Sequence, residues 1–384
     1  MSDRSPLAPA TPRFDTIDVL RGISILLVVL LHIYLRLFFA GYSLKPLFPR
    51  WLFKLLFTNG NNGVAIFFAI SGFLITLISL KRFGTLSRMS AATFYRIRFA
   101  RIAPLLLLVL AVLSLLHLTH AEGFRIPATR CSLARALFAA LTFHLNWLEA
   151  AHGYLPANWD VLWSLSVEES FYLFFPLFCI ALLRRSRGMV VFVAILLLFV
   201  LAGPFARTVW TTNAIWQEKS YLGGMDGIAL GCLTALLVNR LQQVRYGVRN
   251  RHLLAAIQIA GSLAIFLVFL WPGWHWLRYL GRSGTDTTLL SLATCSIMLA
   301  SVLRSGTGLR WTTPIRWCGR RSYEIYLTHE FVVVWGTALY VKLHCGPLLV
   351  WVFLILPLSL VPGAMLARYF SEPMNRKLRG VRPD

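Results

Sequence analysis

Apolar residues fall in ten runs of near-span length, at about 17–39, 62–80, 102–119, 161–183, 189–207, 221–239, 252–271, 286–304, 321–341 and 346–369. A bilayer core of about 30 Å takes about 20 helical residues to cross, so each run predicts a transmembrane helix. A further run at 133–148 is too short and too polar to cross and predicts a re-entrant or interfacial piece. The predicted fold is therefore all-α: a polytopic membrane protein with about ten transmembrane helices in one bundle and both termini on the cytoplasmic side. Residues 1–13 read as a disordered cytoplasmic tail, 14–370 as the membrane domain and 371–384 as a second cytoplasmic tail.

Composition agrees. Of 384 residues, 57% are apolar and only 14% charged, and a mean hydropathy of +0.66 is too high for a chain with a watery surface. Met1–Arg13 is polar and Pro-rich, and the first apolar run has no small-residue cleavage site, so no cleavable signal is expected. With both termini inside, 25 Lys and Arg fall on the cytoplasmic side and 12 outside, Arg21 being counted apart. That excess is what the positive-inside rule requires. The net charge of +23 then reflects arginines that punctuate spans beside anionic lipid, and nucleic acid is not expected as a partner. The six cysteines form no CxxC, and no trio of His, Cys or carboxylate has metal-site spacing, so no metal is expected. Cys131 and Cys345 are the two that could face an oxidising compartment, but spacing assigns no bond between them.

Ionisable groups inside spans are costly and mark sites by default. The first span, FDTIDVLRGISILLVVLLHIYLRLFFA, carries Asp18, Arg21 and His32. Arg21 and His32 are eleven positions apart, about 20° of net rotation and about 16 Å of rise, so they share a face at two depths. Asp18 lies one turn before Arg21 and is expected to pair with it, and Asp15 or Thr16 is the expected N-cap. The fourth span opens WDVLWSLSVEESFYLFFP, which places Glu168 and Glu169 about 10 Å below the outer interface, the depth of His32. A carboxylate at that depth would suit a histidine acting as general base. Otherwise His32 is a bundle-interior histidine bonded to a carbonyl, and the glutamates bridge helices. Trp163 stands beside them.

Ser71 and Gly72 in GVAIFFAISGFLI read chiefly as small packing residues, without the GxSxG of a nucleophile. FYRIRFARIAP bunches Arg96, Arg98 and Arg101 at the cytoplasmic end of the third span, with Arg98 and Arg101 on one face. Arginine forks suit phosphate; the alternative is ordinary punctuation. RRSYEIYLTHEF in the ninth span carries Tyr323, Tyr326 and His329, the histidine closer to the cytoplasmic end than His32. Asp226 and Glu330 are further embedded acids, and each expects a partner.

Arg21 with its tenfold-spaced His32, GVAIFFAISGFLI, RIRFARIAP, WSLSVEESFY, SYEIYLTHEF and the closing SEPMNR together resemble the acyltransferase-3 family of bacterial membrane acyltransferases, from Phe14 to about Lys377. That family O-acylates, mostly O-acetylates, carbohydrates such as O-antigen, exopolysaccharide, peptidoglycan or macrolide sugars, usually from acetyl-CoA. The resemblance implies a bacterial cytoplasmic (inner) membrane location, acyl-CoA as co-substrate with no tightly bound cofactor, and a carbohydrate acceptor. It implies that His32 and Arg21 are essential, that Arg96 and Arg98 handle the donor and that Glu168 belongs to the site. Many members carry an esterase-like domain after the last span; only about 15 residues follow here. A member of this kind is expected to finish the transfer itself or to hand the acyl group to a separate extracytoplasmic protein.

The expected mechanism has acyl-CoA entering from the cytoplasm, its phosphates on Arg96, Arg98 and Arg101 and its arm threading to His32. His32, steered by Glu168, either takes the proton of an acceptor hydroxyl or takes the acyl group itself. Ser71, Trp163, Glu169, Tyr323 and His329 are candidate substrate contacts. The rival is a transporter or flippase for a glycan or lipid-linked sugar, which predicts inverted repeats that the chain does not show. Phe124, Phe143, Trp147, Tyr154 and Trp159, in the loop 121–160, are equally a place for sugar stacking or an interfacial aromatic belt.

Overall fold

The computed structural model describes residues 14–243, 250–270, 281, 283–304 and 310–380; the expected tail at 1–13 lies outside them. Ten long helices occupy the ten expected places: α1 (Asp15–Phe39), α2 (Gly60–Phe83), α3 (Ala91–Leu118), α4 (Trp163–Leu182), α5 (Gly188–Thr208), α6 (Tyr221–Gln243), α7 (Arg251–Leu270), α8 (Thr285–Arg304), α9 (Ser322–Leu343) and α10 (Leu348–Leu366). Among the described residues nine helices are long and apolar enough to cross a membrane. α9 is not one of the nine. It is long enough, at 22 residues, but carries Glu324, His329, Glu330 and Lys342, and it packs between α10 and α1. The chain is an all-α, polytopic membrane protein.

The 133–148 run forms two short helices, Leu133–Leu141 and Leu145–His152. Nine residues rise only about 13 Å, too little to cross. Ser132 caps the first by accepting from the Arg135 amide at 3.3 Å. The α1 cap is not the expected Asp15 or Thr16: Phe14 holds that position with no side-chain bond, and Asp15 and Asp18 lie in the first turn, where the amide dipoles favour anions. Asp15 pairs there with Arg316 at 2.6 Å.

Lipid is as apolar as leucine, so the helices are held by close approach and polar pairs. α2 and α6 meet through Gly72, where an added Cβ would lie 1.9 Å from the Ile228 carbonyl oxygen, and Gly231, where it would lie 2.1 Å from that of Ala69. The outward faces stay apolar: Val190, Leu201 and Phe353 are 71%, 75% and 67% exposed, which fits lipid and not water. The embedded Asp226 finds its partner in Arg207 at 2.8 Å, and Glu330 finds Arg36 at 3.2 Å. Lys219 is buried between Glu149, at 2.8 Å, and Asp160. All six cysteines are free thiols.

Candidate active site

α1 and α9 run side by side, and three polar contacts join them in the same order along both: Arg21 to Ser322, His32 to His329 and Arg36 to Glu330. Parallel packing explains why two histidines of unlike expected depth meet. The start of α9 sits level with Arg21, inside the bundle, because the helix Thr313–Arg320 precedes it there and packs against α1. His329 is thus at the level of His32, not nearer the arginine-rich end as its sequence position implied.

The hydrogen bonds fix which nitrogen of each ring carries hydrogen. His329 Nδ1 lies 2.8 Å from the Tyr326 carbonyl oxygen and 3.2 Å from that of Ile325. Both can only accept, so Nδ1 holds the proton and Nε2 is left as an acceptor. His32 Nδ1 faces that Nε2 at 3.1 Å and the Val28 carbonyl at 2.9 Å, so it too is the protonated nitrogen. His32 Nε2 is then the bare one, 3.6 Å from a Glu330 carboxylate oxygen. A proton arriving at Nε2 meets a carboxylate, which is the arrangement a general base needs. Glu330 is itself almost fully buried and held by Arg36, while His32 keeps 17% of its side chain exposed.

The expected carboxylate for His32 was Glu168, and the structure corrects this. Glu168 accepts from the Tyr172 hydroxyl at 3.1 Å, and Tyr172 also bonds Ser71. Equal depth on two helices does not make them neighbours; α9 lies against α1, and its carboxylate takes the place.

Glu168 instead lines a cavity of about 1370 Å³, open solvent at its mouth included. Along α2 its lining runs from Val64 to Phe83, about 28 Å at 1.5 Å per residue, nearly the thickness of a bilayer core. Arg82, Arg98, Arg101 and Arg379 line its wide end, with Arg21 further in. Ser71, Glu168, Glu169 and Tyr172 follow, and Ser164 and Tyr326, hydrogen-bonded at 2.8 Å, stand at the far end. The Arg98 guanidinium lies 3.6 Å from the Tyr172 ring centroid. Its buried Nε and that of Arg379 have no protein partner among the described residues, so two donors remain to be satisfied by a ligand or water.

Of the predicted site residues, this cavity gathers Arg21, Ser71, Arg98, Arg101, Glu168, Glu169 and Tyr323. Tyr323 donates to the Ile102 carbonyl at 2.9 Å. Arg96 is not among the lining residues and is exposed, because it sits two positions before Arg98 and so points away from its face. Trp163 lines a different cavity. Arg21 reaches Ser322 at 2.9 Å, whereas Asp18 lies 4.0 Å from Arg320. His32 does not line this cavity either. Tyr326, which does, has its ring 6.0 Å from that of His329.

Sequence reading missed Arg82 and Arg379, hidden among punctuating arginines. It noticed Glu330 and Tyr326 but gave them no role. The spacing of EIYLTHEF, which places Tyr326 and Glu330 on the face next to His329, was the available signal. Nor did spacing foresee that His32, His329 and Glu330 bring their ligating atoms within 4.8 Å of one another, close enough to hold a cation. The imidazole pair and Arg36 already use lone pairs that a cation would need.

Comparison with known proteins follows the geometry. The chain is 27% identical to the peptidoglycan O-acetyltransferase OatA of Listeria monocytogenes over 73% of its own length and 46% of that protein. It is 27% identical to the putative peptidoglycan O-acetyltransferase YrhL of Bacillus subtilis over 73% and 45%. It is 24% identical to the O-acetyltransferase OatA of Staphylococcus aureus over 96% and 58%. The chain thus spans about half the length of the curated relatives it matches. No solved structure matches it. Residues 14–368, which hold all ten long helices, the histidine pair and every lining residue of the arginine cavity except Arg379, match the family model described as an acyltransferase domain, and the chain belongs to the acyltransferase-3 family.

Proposed function

We propose that the chain is a membrane-embedded O-acyltransferase that moves an acyl group, in the first place acetyl, from acyl-CoA to a hydroxyl of a cell-surface sugar. The observation that carries the reading is the arginine-mouthed cavity that crosses most of the bundle and ends one tyrosine ring from the His329–His32–Glu330 cluster. A long cavity, basic at one end and mostly apolar along its length, suits a phosphorylated carrier with a thin arm. The names of the three relatives, two peptidoglycan O-acetyltransferases and one O-acetyltransferase, support acetyl as the group and a glycan as the acceptor.

In this reading Arg82, Arg98, Arg101 and Arg379 hold the phosphates of the donor. Arg21, fixed on Ser322, and the Ser71–Tyr172–Glu168 set line the path of the arm. Tyr326 swings from Ser164 to admit the thioester to His32. The bare Nε2 of His32 takes the hydroxyl proton as the hydroxyl oxygen attacks the thioester carbonyl; the C–S bond breaks, and the thiolate leaves with that proton. Glu330 faces the imidazolium, and His329 holds the ring by its Nδ1–H. The location is the bacterial cytoplasmic membrane, with the arginine mouth inside. The acceptor takes the acyl group directly or through a separate extracytoplasmic protein.

The test uses membrane vesicles and labelled acetyl-CoA. His32→Ala abolishes transfer of label to glycan at unchanged protein abundance; labelling that survives the substitution removes His32 from the mechanism. CoA itself is the control against a transporter, since a ligand that binds the folded form raises apparent stability.

A further inference from the structure

We propose that a second cavity, at the end of the bundle opposite the arginine mouth, is a subsite for a neutral saccharide unit of the acceptor. The proposal rests on the transferase reading above and places its acceptor. The cavity measures about 680 Å³, open solvent at its mouth included. Exposed Asn61 and Glu218 stand at its rim. They belong to the start of α2 and the helix Ala214–Lys219, away from the α2 end that carries Arg82.

Its lining has the chemistry of sugar recognition. Trp163 and Phe68, edge to face at 6.0 Å between ring centroids, give an apolar wall for the C–H face of a ring. Ser291 is fully buried, and its Oγ has no partner among the described residues. A buried hydroxyl left without a partner is costly, so it expects a ligand or a water. Gln217 spends both amide N–H groups on the Thr208 and Thr211 carbonyls, at 3.3 and 2.6 Å, whereas Asn61 donates one to Glu218 at 2.8 Å and has a second to give. Together these amides offer a ligand two carbonyl oxygens and one N–H, which accept from and donate to sugar hydroxyls. Gly224 and Gly227 keep the floor open: a Cβ at Gly224 would lie 2.7 Å from the Phe68 ring, and one at Gly227 3.1 Å from Ser291 Oγ.

Charge excludes the other occupants. Arg207, the one arginine in the lining, is locked by Asp226 at 2.8 Å, Thr288 at 2.7 Å and the Gly284 carbonyl at 2.7 Å. It has little left for an anion, unlike the arginines of the donor cavity. An acyl chain would leave Ser291 and the amides unpaired. The two cavities are lined by consecutive residues of α4, Trp163 in the outer one and Ser164 in the other. A glycan held by one unit in the outer cavity would lie beside the helix turn where the donor cavity ends.

Thermal unfolding of the purified full chain in detergent tests this, with tri-N-acetylchitotriose and maltotriose as probes and CoA as the control for the other cavity. At least one sugar should raise the unfolding temperature saturably at millimolar concentration. Ser291→Val and Asn61→Leu should each weaken that sugar's apparent affinity at least tenfold while the CoA shift stays. The subsite is overturned if neither sugar shifts the transition, or if the shift survives both substitutions. A sugar shift with no CoA shift would instead overturn the donor cavity and leave the subsite standing.

Discussion

His32 Nδ1 and His329 Nε2 stand 3.1 Å apart although 297 positions separate them. The contact holds the His32 ring by Nδ1 and leaves Nε2 beside Glu330. If His32 is the base, as proposed, His329 and Glu330 are its positioning residues. Glu330→Gln keeps the shape and removes the charge that faces the imidazolium, and is expected to lower kcat about 100-fold, the lower range of what general-base catalysis contributes. KM for acetyl-CoA should stay unchanged, because Glu330 does not line the arginine-mouthed cavity. A variant that raised KM at constant kcat would contradict this assignment.

Arg98 and Arg101 line the arginine-mouthed cavity and Arg96 does not. Loss of a hydrogen bond to a charged group costs about 1.5–3 kcal/mol, roughly 10- to 100-fold in affinity. Arg98→Ala, Arg101→Ala and Arg379→Ala should each raise KM for acetyl-CoA by about that factor and shrink the thermal shift given by CoA. Arg96→Ala should do neither. Equal losses from Arg96 and Arg98 would mean that the phosphates bind elsewhere.

Gly72 lies so close to α6 that alanine there must push the backbone of Ile228. Overpacking of this kind typically costs about 1–3 kcal/mol, more where backbone rather than a side chain must yield. Gly72→Ala should lower the yield of folded protein in membranes, and Gly231→Ala should do the same from the other helix. Gly84→Ala separates the two causes: nothing lies within 4 Å of its added Cβ, so any loss there comes from backbone strain at its φ of +74° and not from packing.

Burial and the neighbouring Asp160 push the Glu149 carboxyl well above its ordinary range, against the pull of Lys219. A carboxyl raised in the folded state contributes stability that is complete below its unfolded value and is lost as pH rises through its folded value. Lys219→Met removes the pull and extends that loss. The variant should unfold at nearly the wild-type temperature in acid and at progressively lower temperature as pH rises above about 4.3. At neutral pH the loss is about 3–5 kcal/mol, as for a buried pair with one partner removed. Adding Glu149→Gln should flatten the difference; a pH-independent loss would show that Glu149 is not the cause.

The amino-acid order alone determined the helices. Span length and apolar content are properties of one segment at a time, and in lipid each segment must satisfy its own backbone hydrogen bonds. The polar departures from that pattern, at Arg21, His32, Arg98 and Glu168, were equally visible because each is costly wherever its helix goes. What the tertiary structure decided is which departure meets which. Helix pairing in lipid depends on small-residue contacts such as Gly72 with Ile228 and on polar pairs that form across hundreds of positions, and neither leaves a periodic trace in the chain. So Glu330 and not Glu168 stands beside His32, Arg379 joins the cavity from the far end of the sequence, and Arg96 turns away from it.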